Sequence, residues 1–525
     1  TKNKLFFPRV CECVCESIGE KMRKYDIQKL LLSGESQSVE FKEAKNSFPK
    51  DGMKTICSFA NTNDGLLILG ISENTQNKEF YISGVNNPDK ILDDLYSLVN
   101  NPKKINRNVI NEESVQVINE KGKSIIIIPV YKVDYKDKPI YLNESVTSTY
   151  FRQGTGDFRC SQEQINSMLR DSAKESFDST LIQDFSILDL DTETIKLYRE
   201  KFDNINAEHP FSKLDNEQFL IKINALRRDR KDDKIKPTVA GLLIFGTHNS
   251  IKEFIPHYNV EYVLKEFSEN NRFKDRVIYD GTWGEDNLFN FFYLVIEKLY
   301  LTLNDNSNIQ ENSMNRIGIS KLRIAIREAF INSLIHSDYK SEKGIMIIRY
   351  PDRYIFTNGG TLRIDVKDFF SGAHSDPRNY LIQEIFRFLN LCEKAGTGIP
   401  KIMEAVKENH LKYPNLRTEL DSVELTLWDT SLIDNLDIDN EYEKKILELI
   451  IEHRFITRET LEEKLKIHKN TILKYLKKLV EKQAIDKFKS GRQYVYFITQ
   501  NQDPEFQKYN HINAMYSLLE EIKRK

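Results

Sequence analysis

The sequence predicts a multidomain α+β protein, and three observations carry that expectation. The chain has 525 residues, more than one hydrophobic core organises, so roughly three or four domains follow. Short, wholly apolar runs such as LLILGI (66–71) alternate with stretches whose apolar residues recur every three or four positions, marking buried strands and amphipathic helices. A helix–turn–helix pattern followed by an alternating hairpin lies near the C-terminus, and basic charge collects there. The chain as a whole is balanced, with 77 Lys and Arg against 79 Asp and Glu, so any affinity for nucleic acid has to be local.

Residues 1–25 read as a lead-in without a signal-peptide hydrophobic region. No apolar run reaches membrane-spanning length, so no membrane partner and a cytoplasmic location are expected. Six cysteines are too few for a disulfide framework and are read as reduced thiols. Cys11, Cys13 and Cys15 alternate, which suits a soft metal or one face of a strand but not a zinc site's C-x-x-C pairing.

The first α+β domain is expected over 26–170. A helix over 26–32 ends at Ser33-Gly34, and an extended segment follows. A second helix runs over Lys54–Thr62, and Asn63-Asp64-Gly65 turns the chain into the buried strand 66–71. A helix over Asp89–Val99 and a strand over Lys123–Tyr131 complete the unit. In this order ES-x-x-x-EFK (35–42), SFANTNDGLLILGI (58–71), KPIYL (138–142) and YFRQGTGD (150–157) resemble the Schlafen-type, AlbA-like nucleic-acid-binding domain. The resemblance implies an acidic trio that binds a divalent metal and cuts RNA. Glu35 and Glu40 stand at its first two positions, whereas Ser72 stands at the third, with Glu73 beside it. The same two glutamates would equally hold the fold by pairing with Lys42, Lys45 or Arg152. Lys42, Lys45, Lys54 and Arg152 are also candidates for phosphate contact.

A connecting α/β domain is expected over 171–311. Helices are predicted over Thr192–Phe202 and Asp215–Leu226, followed by the charged loop RRDRKDDKIKP (227–237). Residues 237–246 form either an apolar strand or a buried helix, and Val260–Leu264 and Arg276–Tyr279 read as strands. The helix over Asn287–Leu303 carries Leu288, Phe291, Phe292, Val295, Ile296 and Leu299 at helical spacing, a core stripe rather than a cofactor box.

Residues 312–428 hold the chemistry. In LRIAIREAFINSLIHSDY (322–339), Glu328, Asn332 and His336 recur every four residues and share one helix face. A carboxylate one turn before a carboxamide can orient water and hold Mg²⁺ on a nucleotide, although a solvated polar stripe has the same spacing. Strands GIMIIRY (344–350) and RYIFT (353–357) follow and end in Asn358-Gly359-Gly360. After a helix over Leu381–Leu391, the loop Gly396-Thr397-Gly398 opens a helix over Pro400–Glu408. Backbone N–H groups there can face an anion, and a plain interhelix loop would look the same. REAFINSLIHSDY, DRYIFTNGGTL, DPRNYLIQEIF and EKAGTGIPKI, in that order, resemble the GHKL-type ATPase, an α/β sandwich. The match is to its divergent branch in bacterial regulators that also carry the Schlafen-type domain. By that resemblance Glu328 activates water and Asn332 holds Mg²⁺. ATP would meet Asn332, His336, Asn358, Gly360, Gly396, Thr397 and Gly398. Asn358 or Thr357 replaces the family's adenine-reading aspartate, and Leu362 replaces a glycine.

An acidic linker (429–439) leads to a segment over 440–500 that resembles a winged helix-turn-helix. Helices are expected over Glu443–Glu452, after an N-cap at Thr457, and over Thr471–Lys482, with a hairpin around Ser490-Gly491. Between Lys464 and Arg492 there are ten Lys and Arg against two acids. Lys469, Asn470, Thr471 and Lys474 begin the recognition helix, where side chains reach base edges. Lys487, Lys489 and Arg492 on the wing suit phosphates. Residues 501–525 carry the stripe Ile512, Met515, Leu518, Leu519 and Ile522, an apolar face that a second subunit would cover.

The expected function is a DNA-binding, ATP-responsive regulator, with ATP and Mg²⁺ as cofactors and a homo-oligomer as the working form. The rivals are a metal-dependent ribonuclease acting on structured RNA such as tRNA, possible in defence, and a non-catalytic scaffold.

Overall fold

In the computed structural model the described residues are 27–74, 76, 79–266, 273–305, 313–372, 375–392, 398–409, 411–430, 440–453, 456–482, 484–490 and 493–498. They fall into two compact units, divided between Ala173 and Lys174.

The first unit is built on the sheet β1 (Val39–Lys42), β2 (Gly65–Leu69), β6 (Lys123–Val130) and β5 (Gln116–Glu120), in that order. β1 and β2 are parallel and the other pairs antiparallel. The apolar run of β2 is covered on both faces, which is why it does not alternate. Leu67 and Leu69 face α2 (Gly52–Asn61) and α3 (Pro88–Val99), in a core with Ile56, Phe59, Ile91 and Leu95. Leu66 and Ile68 face α1 (Ile27–Ser33) and the hairpin β3 (Ile71–Glu73)–β4 (Phe80–Ile82). A second hairpin, β7 (Tyr150–Gln153)–β8 (Gly156–Arg159), packs on α2, and α4 (Gln162–Asp171) follows with a Ser161 capping box.

The second unit opens with α5 (Thr192–Ile205), α6 (Asn216–Lys222) and the hairpin β9 (Leu226–Arg228)–β10 (Ile235–Pro237). The ambiguous apolar run is a helix, α7 (Val239–Phe245), because Thr238 caps it and every one of its residues is buried. Next come α8 (His248–Phe254), β11 (Val260–Lys265), β12 (Phe273–Ile278), α9 (Leu288–Asp305) and α10 (Ser313–His336). These lead into β13 (Ile345–Tyr350), β14 (Arg353–Gly359), α11 (Val366–Ser371), α12 (Tyr380–Arg387), α13 (Gly398–Glu408), β15 (Asn415–Thr418) and β16 (Ser422–Trp428).

One sheet runs β12-β11-β13-β14-β16-β15, antiparallel except for the parallel pair β11–β13. Along β13 and β14 buried residues alternate with partly open ones, so one face is packed under helices. The segments expected as separate domains, 171–311 and 312–428, therefore share a sheet and one core, in which Tyr198, Phe245 and Phe292 join Phe330, Phe356 and Phe386. The physical reason is that β11 finds its partner, β13, on the far side of the expected boundary.

The last element group is α14 (Glu441–His453), β17 (Ile456–Thr457), α15 (Arg458–Leu465), α16 (Lys469–Glu481), β18 (Ile485–Ser490) and β19 (Gln493–Ile498), with strand order β17-β19-β18. Ile446, Ile450, Leu461, Ile472, Leu476 and Leu479 form its own core. Thr457 caps α15 as expected, accepting from the Thr460 N–H at 3.3 Å. Residues 501–525, with the apolar stripe, and Cys11, Cys13 and Cys15 lie outside the described residues. No helix among the described residues is long and apolar enough to cross a membrane.

Candidate functional site

Helix α10 is apolar on most sides, and its polar residues are placed by what packs on them. Glu328 is buried at 3% exposure, with Oε1 at 3.3 Å from Arg327 Nη2 and 3.7 Å from Lys401 Nζ. Asn332 is half-buried one turn on. The first residue of α13 lies directly over both. A Cβ on Gly398 would come within 2.9 Å of Glu328 Oε2 and 3.4 Å of Asn332 Nδ2. Glycine thus lets the N-terminus of α13 close onto the acid–amide pair. Gly396 and Thr397 lie outside the described residues.

Two turns further along, the C-terminus of α10 is held by side chains that the sequence did not single out. Asn379 Nδ2 donates to the carbonyls of Ile335 (2.9 Å) and Ser337 (2.7 Å). Arg378 Nε donates to His336 O at 2.9 Å, and its Nη2 to Thr361 O at 2.9 Å. Asn358 joins them, donating from Nδ2 to Gly359 O at 3.0 Å and His336 O at 3.4 Å. Gly360 has φ +97°, and a Cβ there would sit 2.7 Å from the Arg378 guanidinium. Burial first, then the charges of Arg378 and Arg363, push the His336 imidazole down to about 4, so the ring is neutral at pH 7. Sequence signals for Arg378 and Asn379 existed only as the DPRNY string; bonds across more than forty residues leave no local mark.

The donor set at Glu328, Asn332 and the α13 terminus fits Mg²⁺ and a phosphate chain: a carboxylate, a carboxamide and a helix N-terminus, with Lys401 beside them. Asn358 and Gly360 are near the end of α10 through Arg378 and His336, rather than beside Glu328.

In the first unit Glu40 is part of a buried ion-pair network. Glu40 is buried; Oε2 lies 2.7 Å from Arg152 Nη2 and Oε1 2.7 Å from Lys42 Nζ. The Arg152 side chain has no exposed surface. It also binds Asp157 Oδ1 (3.1 Å) and the carbonyls of Ser36 (2.9 Å) and Val39 (3.3 Å), and its guanidinium lies over Phe59. Thr55 and Ser58 donate to Asp157. Arg152 offers no surface to a phosphate, because its guanidinium is enclosed in the core with both terminal nitrogens bonded there. Glu35 Oε1 accepts from the Phe41 N–H at 3.1 Å; burial, then the charge of Glu40, raises its carboxyl. Glu73 is exposed at the end of β3. Among the described residues no group of three or more His, Cys, Asp or Glu could hold a metal, so Glu35, Glu40 and Glu73 are not gathered as a ligand trio. Cys57, Cys160 and Cys392 are buried free thiols, as expected.

On the winged helix, α16 buries Ile472, Leu476 and Leu479 and turns Lys469, Asn470 and Lys474 to solvent, with Thr471 half-buried. His468 caps the helix, its Nδ1 accepting from the Asn470 N–H at 3.3 Å. Lys478 (3.6 Å) and Lys482 (3.3 Å) pair with the buried Glu443, tying α16 to α14. These two charges of the basic cluster are therefore structural. Lys487 is exposed, with Nζ 5.0 Å from the Tyr494 ring centre. Lys489 is described in its backbone alone, and Arg492 lies outside the described residues.

Four stretches match family models: residues 35–161 "Schlafen, AlbA_2", 166–261 a domain of unknown function (DUF8451), 342–427 "Putative ATP-dependent DNA helicase recG C-terminal", and 440–513 "Penicillinase repressor". No curated protein matches the chain. Among solved structures, the DIP2311 protein from Corynebacterium diphtheriae is 19% identical, covering 88% of this chain and 79% of its own, with a TM-score of 0.39. The N-terminal domain of a RecG-related protein from Nitrosomonas europaea is 27% identical, covering 23% of this chain and 82% of its own, with a TM-score of 0.18. From N- to C-terminus, then, the chain joins stretches matching a Schlafen AlbA_2 domain, a RecG-C-terminal-type domain and a penicillinase-repressor winged helix, the combination that its motifs predicted.

Proposed function

We propose that the chain is a DNA-binding regulator that docks duplex DNA through residues 440–498 and responds to ATP held with Mg²⁺ at Glu328, Asn332 and Gly398. The observation that carries the DNA reading is the division of α16, with an apolar face in the core and Lys469, Asn470 and Lys474 in solvent. That is how a recognition helix is presented to the major groove. The repressor-type family match over 440–513 supports the same reading. The nucleotide reading rests on the close approach of Gly398 to Glu328 and Asn332. Bound nucleotide would supply a triphosphate whose occupancy biases the regulator's state, provided the two states bind it unequally. Asn332 would contribute an oxygen to the metal and Lys401 a positive charge toward phosphate.

Two measurements test this. Fluorescence anisotropy of labelled duplex should show affinity falling steeply between about 50 and 200 mM salt, as release of counterions from the contacted phosphates requires. Replacing Lys469 and Lys474 by alanine should lower the salt slope by about 2. Salt-insensitive binding, or none, would end the DNA reading. Calorimetry with Mg–ATP should show binding that Asn332→Ala removes; a wild type that binds no nucleotide would end the second part and leave the first standing.

A further inference from the structure

The exposed side of α16 is not uniformly polar. Asn470, Leu473, Lys474 and Lys477 fall at i, i+3, i+4 and i+7, one face of the helix, opposite Ile472, Leu476 and Leu479. Leu473 is 38% exposed in the middle of that face, flanked by two exposed lysines. A lone surface leucine has no meaning by itself. Its position here is informative, because the cations around it suit a polyanion and the groove of duplex DNA displays only one apolar group, the thymine C5-methyl. Asn470, one turn nearer the N-terminus, carries the carboxamide that pairs bidentately with adenine N6 and N7.

We infer that α16 reads A·T base pairs, with Leu473 packing on a thymine methyl and Asn470 bonding an adenine edge. This rests on the DNA-binding reading above. The spacing limits the read-out. Three helical residues rise about 4.5 Å, against about 3.4 Å per base step, so the two side chains address the same or neighbouring base pairs. Lys474 and Lys477 lie beside them on the same face and supply charge toward the flanking phosphates. The chemistry recognised is therefore a short A·T-containing step in the major groove.

The test starts with selection of duplexes by the full chain from a random-sequence library. In the enriched site each thymine is then replaced by uracil, which removes only the methyl, and each adenine by 7-deazaadenine, which removes only N7. One uracil substitution should weaken wild-type binding about three- to fivefold, the worth of one buried methyl. Leu473→Ala should be indifferent to that same uracil. One 7-deazaadenine in the same or the adjacent pair should cost about fivefold or more, and Asn470→Ala should be indifferent to it. Salt-dependent binding that enriches no site, or an enriched site tolerant of every uracil, overturns the inference and leaves the DNA reading intact. A change of sedimentation on Leu473→Ala with no uracil effect assigns the face to a second copy instead. Absence of any DNA binding removes both readings.

Discussion

Arg152 is enclosed in the interior with Glu40 and Asp157 as its counter-charges, so losing its side chain leaves the buried Glu40 with Lys42 alone and the partly buried Asp157 without a cation. Arg152→Met is expected to destabilise the protein by about 3–5 kcal/mol, measured by urea denaturation of the full chain. His336 makes a pH prediction. Its native imidazole is lowered to about 4 from an ordinary 6.5, so between those values the unfolded chain binds the extra proton. The contribution is present above pH 6.5 and is lost as pH falls toward 4. His336→Gln should flatten that part of the Tm–pH profile, and an unchanged profile would mean that the ring titrates normally. The sequence made Glu35, Glu40 and Arg152 visible and offered two roles for them. It could not choose, because the Glu40–Arg152 pair spans 112 residues and burial is a property of the fold.

Elements were more legible than their ties. The helices over 88–99, 192–205 and 288–305 and the hairpin strands over 345–359 follow the apolar spacing closely. Residues 237–246 stayed ambiguous until tertiary burial on all sides was known, since a wholly apolar run carries no period. Helix α12 shows what local reading misses. Its first N–H groups, at Leu381 (2.7 Å) and Ile382 (3.0 Å), donate to Asp178, a residue some two hundred positions earlier. Asp178→Ala should therefore cost about 1–2 kcal/mol and loosen α12 selectively, visible as faster amide exchange over 381–386. Gly360→Ala should be at least as damaging, about 1–3 kcal/mol. Its φ of +97° disfavours any Cβ, and the added methyl would meet Arg378.

At the scale of the molecule, the order of domain types was readable from motifs, whereas the continuity of sheet and core across residue 311 was not. Residue pairs such as Tyr262 with Ile347 join the two expected domains through a parallel ladder, and no local pattern announces such a partner. Fragments 174–311 and 312–430 expressed apart should each lack a cooperative thermal transition by circular dichroism, whereas 174–430 should keep one. Two independently melting fragments would show that the shared sheet is dispensable. The same ladder also sets a timetable for synthesis. β11 leaves the ribosome long before β13, β14 and β16 exist to cover it, and at about 5–20 residues per second the wait until Trp428 emerges is on the order of ten seconds or more. Through that interval the nascent chain displays the apolar residues of β11 and α9, such as Val260, Tyr262, Phe291 and Phe292, with nowhere to bury them on the sheet. Yield in the cell thus depends on how well that half-made surface is sheltered from other chains.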